Sequence, residues 1–598
     1  MHVIESTNSS NSGHPTSCSS LADIFSILFF HSSGLRYFPS DPKNLNNDKL
    51  ILSKGHAAPL LYATWSEAGL FPKSELRNLR KIDSDLEGHP TPRLSFVDIA
   101  TGSLGQGISA GCGIAYSMKY YEKKSTKVFT VLGDAECAEG SVWEAVNFAA
   151  FYKLNNLIAI IDVNSFGQNM QTMLGTNLGL YKNRFLAFEW EVATIDGHDY
   201  HDIVQALEKV KNLEKPLAIL AGTIKGKDFP NIENRENWHG RPLGLHSSSV
   251  LEYLQGKIIN CPSIDFTNFP DTSDPYISHD YNFDLPFPDI DLTKLSSVRA
   301  GFGLGLASIG KHPEILCLDA DTKNSTMTFF FQEKYPDQFI ECFIAEQNMV
   351  GVGLGLCKRS KVPFICTFSA FLTRCFDHIR VAALSFANMK FVGSHSGVSV
   401  GEDGATQMGL EDLALFRSII NCLVLYPSDA VSAVYAVQLA ANYPNIAYIR
   451  SSRPQVPIIY SSDFTFSLTS YILKQSLQDQ LCIVAAGVTL HEALKAQIIL
   501  QNQNLNVRVV DVFCLMPLDT NFYIKNALAC NSTILTVEDH YRAGGIYEAV
   551  SSELSPYGIK VHGLYVKDIP RSGTCAELLE MFSIDHKAIV NKCLSILS

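Results

Sequence analysis

Short apolar runs alternate with helix-spaced apolar positions along most of the chain. Residues 127–132 form an apolar run that ends at Gly133, and Leu157–Val163 forms a second run of the same kind. Between them, residues 141–154 carry apolar side chains at the three- and four-residue spacing of a helix. This order predicts a βαβ unit, and therefore a parallel sheet with helices on both faces.

The same alternation returns twice further along the chain. A second α/β region spans about 292–455, and a third begins near 468. In the third region the predicted strands are 481–488, 507–513 and 534–537, and the predicted helix is 491–503. Because a single hydrophobic core stops growing at roughly 250–300 residues, we expect three α/β domains with mainly parallel sheets in this 598-residue chain.

Residues 258–291 interrupt the pattern. This stretch contains five prolines, several aspartates and no lysine or arginine. Proline fixes φ and removes a backbone donor, so the stretch is predicted to be an extended surface linker. The predicted domains are therefore 1–257, 292–455 and 468–598.

Composition narrows the possible function classes. The chain is 46% hydrophobic and 18% charged, which is typical of a globular protein, and its net charge is -12. The acidic balance argues against a nucleic-acid partner, which would require a basic face. No apolar run approaches the ~18 residues of a membrane span, and no basic leader precedes an apolar stretch. The 15 scattered cysteines include no C-x-x-C pair, so we expect reduced thiols and a cytoplasmic location.

Two polar residues follow neighbouring strands of the predicted βαβ unit. Asp134 follows the first strand and Asn164 follows the second. Because the carboxyl ends of parallel strands meet at one edge of a sheet, we expect these side chains to lie close together. A carboxylate, an amide oxygen and a backbone carbonyl near Phe166 suit Mg²⁺. Either residue alone could simply form a turn or a helix cap, but the paired spacing predicts a metal site.

Glycine-rich loops in the same region point to an anion. Residues 102–107 read GSLGQG, and glycines let backbone amides approach a phosphate before a helix begins. His14, His56 and His89 each follow a glycine. One loop histidine is usually a surface residue, but three in one domain predict a polar cavity.

These motifs resemble the transketolase family of thiamine diphosphate enzymes. The family's diphosphate signature is similar to Gly133-Asp134-Ala135 followed by Asn164, and the strings GHPTS, LSKGHAAP, GSLGQG, EGSVWEA and NWHGRPLG stand in the family's order. The likeness covers nearly the whole chain and is nearest to the animal branch. Ala135 replaces a glycine, so its Cβ is expected to crowd the diphosphate. The chain also begins later than the family pattern, so we expect an opening helix to be missing.

The resemblance implies an activity and its cofactors. It implies transfer of a two-carbon ketol unit from xylulose 5-phosphate to ribose 5-phosphate or erythrose 4-phosphate, in the pentose phosphate pathway. It implies thiamine diphosphate with Mg²⁺, or alternatively Ca²⁺ or Mn²⁺. It also implies diphosphate-binding, pyrimidine-binding and C-terminal domains, and a homodimer whose active sites lie between the subunits. Glu139 resembles the residue that approaches a glutamate of the other subunit.

A glutamate in the second region resembles the family's catalytic acid. The apolar run 339–345 predicts a strand that ends at Glu346, where a buried carboxyl group needs a partner. It could also cap the following helix, but in transketolases the matching glutamate hydrogen-bonds the aminopyrimidine ring. The residues implied to be catalytic are Glu346, His239, His56 and His395. His56 and His239 are expected to move protons at the acceptor carbonyl, because histidine titrates near neutral pH.

The resemblance also implies the remaining ligand contacts. The residues implied to bind the cofactor are His56, Gly102, Ser103, Leu104, Gly133, Asp134, Ala135, Glu136, Asn164, Lys225, His239, Glu346, Phe368, Phe371 and Gln407. The implied metal ligands are Asp134, Asn164 and Phe166. The residues implied to bind the substrate are His14, Ser17, His89, His239, Arg299, Ser325, His395, Asp403 and Arg453. Arginine suits phosphate because its planar fork donates two parallel hydrogen bonds.

Three alternatives stay open. A dihydroxyacetone synthase would use formaldehyde as the acceptor, but a one-carbon acceptor needs no phosphate grip. A deoxyxylulose-phosphate synthase matches the whole chain much less well. A transketolase-like protein that only binds is favoured by Ala135 and by the late start. In the third region, Glu538-Asp539-His540 could suggest acid–base chemistry, but we interpret it as a polar strand end in a structural domain that supports the dimer.

Overall fold

The structure is a computed structural model, and it describes residues 1–259, 266–276 and 281–598. The chain divides into two compact units. The first unit comprises Met1–His279, Val350–Ser360 and Asp377–Phe386, and the second comprises Asp280–Met349, Lys361–Phe376 and Ala387–Ser598. The linker predicted over 258–291 lies partly outside the described residues, including Pro262. The three-domain boundaries stay a prediction.

The first unit is built around a five-stranded parallel sheet. In spatial order the strands are Lys49–Leu52, Val128–Gly133, Leu157–Val163, Leu217–Gly222 and Glu191–Asp196. The three central strands are almost entirely buried, as their continuous apolar sequences require. Gly133 pairs with Asp162, so Asp134 and Asn164 follow at the same edge of the sheet.

Helices surround this sheet. They are His2–Ser9, Pro15–Ser19, Ala22–Phe30, Ala58–Glu67, Gly107–Tyr116, Gly140–Phe151, Leu178–Ala187, Tyr200–Lys209 and Ser247–Lys257. Tyr200–Lys209 shows how the sequence sets them: the Asp199 side chain caps its first turn. Its buried face carries Ile203, Ala206 and Leu207, which lie on one side of a 3.6-residue period.

The second unit contains a seven-stranded sheet. In spatial order its strands are Cys514–Met516, Leu423–Leu425, Ala447–Arg450, Lys390–Ser394, Val362–Phe368, Ile315–Asp319 and Phe339–Glu341. Only the edge strand Cys514–Met516 is antiparallel among these described strands. A short antiparallel pair joins Ser296–Ser297 to Gln455–Val456.

A further sheet in the second unit has five strands. In spatial order they are Tyr471–Lys474, Val507–Asp511, Leu481–Ala485, Thr533–Tyr541 and Lys560–Val566, and the first is antiparallel to its neighbour. The helices of this unit are Val298–Ile309, Lys323–Thr326, Phe329–Lys334, Ser369–Leu372, Asp412–Arg417, Ala430–Asn442, Val488–Asn502, Thr520–Leu528, Ile546–Leu554, Cys575–Met581 and His586–Leu597. Helices Glu346–Cys357 and Phe376–Leu384 each have residues assigned to both units. The prediction of α/β architecture with mainly parallel sheets is confirmed.

Two predicted strands are wrong in their extent. The strand expected over 481–488 ends at Ala485, and Val488 already begins the helix that was expected over 491–503. The strand expected over 339–345 ends at Glu341, and Glu346 is the first residue of the next helix. Phe343 adopts a left-handed φ of 57°, which ends the extended backbone. Its neighbour Ile344 is 78% exposed, so this part of the apolar run is not a core strand.

Two further observations concern the described residues as a whole. None of their helices is both long and apolar enough to cross a membrane. Every described cysteine is a free thiol, and most of these thiols are buried.

Candidate active site

Asp134 and Asn164 line one small cavity at the carboxyl edge of the first sheet. The Asp134 carboxylate accepts hydrogen bonds from the Ser165 amide at 2.7 Å and from the Thr172 hydroxyl at 3.1 Å. The Asn164 side-chain oxygen accepts the Phe166 amide at 3.1 Å. Burial raises the pKa of Asp134 to about 6, and so a bound cation would stabilise its ionised form.

The cavity has a volume of about 100 Å³ and gathers many of the sequence-predicted residues. Its predicted members are Ser17, His56, Leu104, Gly133, Asp134, Ala135, Glu136, Asn164, Phe166 and His239. Lys54, Gly167 and Gln168 also line it and were not predicted. Within the described chain there is no group of three histidine, cysteine, aspartate or glutamate side chains placed to hold a metal. The candidate metal ligands are therefore oxygen atoms of different kinds: the Asp134 carboxylate, the Asn164 amide oxygen and the Phe166 carbonyl.

A buried ion pair that sequence reasoning missed supports this cavity. The Lys54 ammonium contacts the Asp162 carboxylate, and their side chains are 2% and 0% exposed. Asp162 also accepts hydrogen bonds from the Ser20 hydroxyl at 2.8 Å and from the Asn164 side-chain nitrogen at 3.0 Å. Although burial opposes ionisation, the Lys54 charge lowers the pKa of Asp162. Asp162 therefore fixes which way the Asn164 amide points. The available signal was an acidic residue inside the apolar run LIAIIDV.

Glu136 ties the glycine-rich loop to the end of its strand. Its carboxylate accepts the amides of Gly105 at 2.8 Å and Gly133 at 3.0 Å. Gly102 has a φ of 139°, and a Cβ there would lie 3.1 Å from the His89 ring. Only glycine fits that backbone conformation and that approach without strain. Ser103, a predicted residue of this loop, donates a hydrogen bond from its hydroxyl to the Asp377 carboxylate. Both residues belong to the first unit.

Four histidines cluster in the first unit. The His14 ring lies 5.1 Å from His56, 6.4 Å from His89 and 4.8 Å from His239, measured between centroids. Burial lowers the pKa of all four, to about 3 for His14 and to about 4 for His239. These imidazoles are therefore neutral at pH 7 and able to accept a proton or a hydrogen bond.

Lys225 stands beside this cluster. Its ammonium lies 3.1 Å from Nδ1 of His239 and donates to the Gly167 carbonyl at 3.2 Å. Burial and the Lys54 charge lower the pKa of Lys225 to about 8. The site thus places a cation and neutral imidazoles next to the cavity of Asp134 and Asn164.

In the second unit, aromatic rings stack next to a histidine. Phe368 stacks on Phe371 with a 5.1 Å centroid distance, and His395 stacks on Phe368 at 3.8 Å. His395 adopts a left-handed φ of 56°, and strain of this kind is often stored at functional sites. Burial lowers its pKa to about 3, with further lowering by Arg299 and Arg453. Glu346 is 6% exposed at the start of its helix.

Two arginines of the second unit form a cationic corner. Arg299 donates to the Ser325 carbonyl at 3.0 Å, and its Nε is buried with no acceptor among the described residues. Burial and the charge of Arg453 lower the pKa of Arg299. Arg453 donates to the Val400 carbonyl at 2.6 Å and lies 3.4 Å from the Asp403 carboxylate and 3.5 Å from the Glu402 carboxylate. The unused donor of Arg299 suits an anionic ligand.

Asp539 was predicted to be part of a polar strand end, but its carboxylate holds the loop that carries His395. It accepts the amides of Val398 at 2.7 Å and Ser399 at 3.2 Å. Asp403 is exposed and Gln407 is half-buried on the same loop. The neighbouring Glu538 carboxylate likewise accepts backbone amides, from Ile546 and Tyr547. The only indication in the sequence was the triplet Glu538-Asp539-His540, and it did not show which backbone amides these carboxylates contact.

Comparisons with known proteins extend along nearly the whole chain. Residues 1–255, 296–458 and 470–589 match the family models of the transketolase thiamine diphosphate binding domain, the transketolase pyrimidine binding domain and the transketolase C-terminal domain. The chain is 48% identical to transketolase-like protein 2 of Mus musculus, covering 99% of this chain and 95% of that protein. It is 47% identical to transketolase of Homo sapiens, covering 98% and 94%. The solved transketolase from Campylobacter jejuni aligns with a TM-score of 0.82 at 26% identity, covering 99% and 98%.

Proposed function

Since the chain belongs to the transketolase family, we propose that it is an active transketolase. It transfers a two-carbon ketol unit from xylulose 5-phosphate to ribose 5-phosphate or erythrose 4-phosphate, in the pentose phosphate pathway. The observation that carries this proposal is the cavity in which Asp134 and Asn164 meet His56 and His239. We propose a cytoplasmic location, because the cysteines of the described residues are free thiols.

The first unit would hold the diphosphate and a divalent cation. Asp134, Asn164 and the Phe166 carbonyl supply the hard oxygen donors that Mg²⁺ prefers, and Ca²⁺ or Mn²⁺ could replace it. The raised pKa of Asp134 supports this fit, because a buried carboxylate needs a compensating cation. Ala135 has ordinary helical backbone angles and an exposed side chain, so alanine is tolerated at this turn. When bound, thiamine diphosphate supplies a carbon nucleophile and an electron sink.

The second unit would hold the pyrimidine ring. Phe368 and Phe371 offer apolar ring faces, Gln407 lies on the loop after His395, and Glu346 supplies a buried carboxyl group. We propose that these residues act on a cofactor held by the partner subunit of a homodimer, where Glu139 approaches the partner's glutamate. Exposed apolar side chains next to Glu346 support such a partner: Phe343 is 40% exposed and Ile344 is 78% exposed.

Proton movement at the substrate falls to the histidines. His56 and His239 are neutral at pH 7, so each can take a proton from a substrate hydroxyl and return it to the acceptor oxygen. The nearby Lys225 ammonium stabilises negative charge that develops on that oxygen. His14, His89 and Ser17 would hold the sugar hydroxyls, together with His395 and Asp403.

The arginine corner favours phosphorylated sugars. Arg299 and Arg453 would grip the terminal phosphate with Ser325, because an unused guanidinium donor is costly to leave buried. A formaldehyde acceptor would need no such grip. The second candidate is a catalytically weak or inactive transketolase-like binding protein. One observation favours it: the Ala135 amide donates to the Asp134 carboxylate at 2.9 Å, so it is already engaged and does not point a free donor at a diphosphate.

Product analysis by mass spectrometry tests the proposal. The purified protein is incubated with xylulose 5-phosphate and ribose 5-phosphate, with thiamine diphosphate and Mg²⁺ present, and parallel reactions omit one component. We expect glyceraldehyde 3-phosphate and sedoheptulose 7-phosphate only in the complete reaction. A further reaction replaces ribose 5-phosphate with formaldehyde. Dihydroxyacetone formation that is faster than sedoheptulose 7-phosphate formation would favour the one-carbon acceptor. No product, together with measured cofactor binding, would favour the protein that only binds.

A further inference from the structure

A second cavity lies at the opposite edge of the first sheet. It has a volume of about 470 Å³. Asp48, Lys127 and Asn156 line it, and each directly precedes one strand of the sheet. Asp134 and Asn164 follow the other ends of these strands. At about 3.3 Å per residue, a seven-residue strand such as Leu157–Val163 puts the two cavities roughly 20 Å apart.

The lining of this cavity is strongly basic. Its charged members are Arg36, Asp48, Lys119, Lys124, Lys127 and Lys211. We call it the basic pocket. Asp48 is the only acidic residue of that lining within the described parts of the chain. Its carboxylate already accepts the Arg36 guanidinium at 3.3 Å and the Lys127 amide at 2.8 Å. In a chain with a net charge of -12, such a local excess of cations marks an anion site.

Two of these lysines have ammonium groups without an acceptor among the described residues. Lys124 is paired with Asp274 at 2.6 Å, and Lys119 donates to the Lys153 carbonyl. By contrast, the ammonium groups of Lys127 and Lys211 meet no acceptor within the part of the chain that the structure describes. Lys127 is half-buried, and burial lowers its pKa. The Asp48 charge partly offsets this, and the charges of Arg36 and Lys119 lower the pKa further. A bound anion would stabilise the charged form of Lys127.

Asn156 adds a hydrogen-bond acceptor to a lining that otherwise consists mainly of cationic donors. It is 5% exposed, and its side-chain nitrogen donates to the Ala115 carbonyl at 2.9 Å. Its side-chain oxygen is buried and receives no donor from the described residues. Lys119 is carried by a π-helical turn, Ser117–Tyr121, and such turns are rare and frequent at functional sites. The basic pocket therefore offers cations for an anion and one acceptor for a hydroxyl group.

We propose that the basic pocket binds a small phosphomonoester that carries a free hydroxyl group. Lys127, Lys119 and Lys211 hold the phosphate, and the Asn156 side-chain oxygen accepts the ligand's hydroxyl. Lysine suits this role because it acts as a point charge that can meet a phosphate from several directions. The pocket is separate from the candidate active site, so the proposal does not depend on the proposed activity.

Titration calorimetry on the full chain tests this site. The probe is glycerol 2-phosphate, which carries a phosphate and two hydroxyl groups. The protein is saturated with thiamine diphosphate and Mg²⁺ to fill the proposed diphosphate site, and it carries Arg299→Met to remove the anion-binding corner of the second unit. We expect one binding event, weakened about tenfold or more by Lys127→Gln or by Lys119→Gln. Lys209→Gln is the matched control, because Lys209 is exposed on the same unit and does not line the pocket.

Further arms separate the parts of the proposal. Lys211→Glu alters an exposed side chain, so it should weaken binding without affecting folding. Inorganic phosphate should bind more weakly than glycerol 2-phosphate, and glycerol alone should not bind. Equal affinity for phosphate and glycerol 2-phosphate would show that the ligand's hydroxyl group makes no contact with the Asn156 side-chain oxygen. Unchanged binding in both Lys127→Gln and Lys211→Glu, or an equal loss in Lys209→Gln, would overturn the site.

Discussion

The carboxylate of Asp539 accepts the backbone amide of Val398 at 2.7 Å, although the two residues are 141 positions apart in the chain. Asp539 lies in strand Thr533–Tyr541 of the last sheet, and Val398 begins a short turn three residues after His395. A Cβ on Gly397 would lie 2.1 Å from the same carboxylate. The last sheet therefore sets the position of the loop that carries His395 and Asp403.

Asp539→Asn tests this relationship. Asparagine loses the charge and one of two acceptor oxygens, so the hold on the loop weakens. We expect kcat/KM to fall about tenfold, mainly through a higher KM for the ketose phosphate, while thiamine diphosphate binds as before. Asp585→Asn is the matched control, because Asp585 also accepts a backbone amide but caps helix His586–Leu597 of the same unit and does not bond the loop that carries His395. An equal change in both variants would leave Asp539 with only a structural role.

His239→Ala tests the proposed proton transfer. Its ring lies 5.1 Å from His56, and removing it takes away one of two neutral bases. We expect turnover to fall about 10²–10⁴-fold, with a much smaller change in cofactor affinity. His246→Ala replaces an exposed histidine of the same unit and should leave turnover unchanged. Full turnover in His239→Ala would show that His239 does not transfer a proton in the reaction.

Arg299→Met tests the phosphate grip. Charged hydrogen bonds of this kind contribute about 1.5–3 kcal/mol, so KM for xylulose 5-phosphate should rise about ten- to a hundredfold. The rate with unphosphorylated xylulose should stay the same, because that sugar never used the guanidinium. Arg542→Met changes an exposed arginine and serves as the control. A parallel loss with both sugars would contradict a specific phosphate contact.

The buried histidines predict a loss of stability in acid. The pKa of His14 is lowered from 6.5 to about 3 in the folded protein, so below pH 6.5 the unfolded chain binds the extra proton. The free energy of unfolding therefore falls as the pH drops, by at most about 2 kcal/mol for this group at pH 5. Urea unfolding at pH 7.5 and 5.0 should show a smaller drop in His14→Asn than in the unchanged protein. The same drop in both would mean that His14 is not held neutral.

The strands of the first sheet could be predicted because buried parallel strands form continuous apolar runs. Leu157–Val163 was predicted at the bounds observed, and the meeting of Asp134 with Asn164 followed from strand direction alone. The strand that begins at Phe339 was predicted to extend to residue 345 but ends at Glu341. An apolar run alone does not reveal that Ile344 is exposed.

Long-range polar contacts could not be predicted in the same way. Lys54 and Asp162 are 108 residues apart, and nothing in either local sequence names the other as its partner. The contact between Asp539 and Val398 is of the same kind. The segments Val350–Ser360 and Asp377–Phe386 belong to the first unit although the chain around them belongs to the second, and periodicity carries no signal for that.

The most direct test of the proposed activity is the rate of glyceraldehyde 3-phosphate release, followed by a coupled assay with xylulose 5-phosphate and ribose 5-phosphate. We expect steady turnover that requires both thiamine diphosphate and Mg²⁺, and that falls by orders of magnitude in Glu346→Gln without loss of cofactor binding. No turnover in the folded, cofactor-loaded protein, or turnover that persists without thiamine diphosphate, would contradict it.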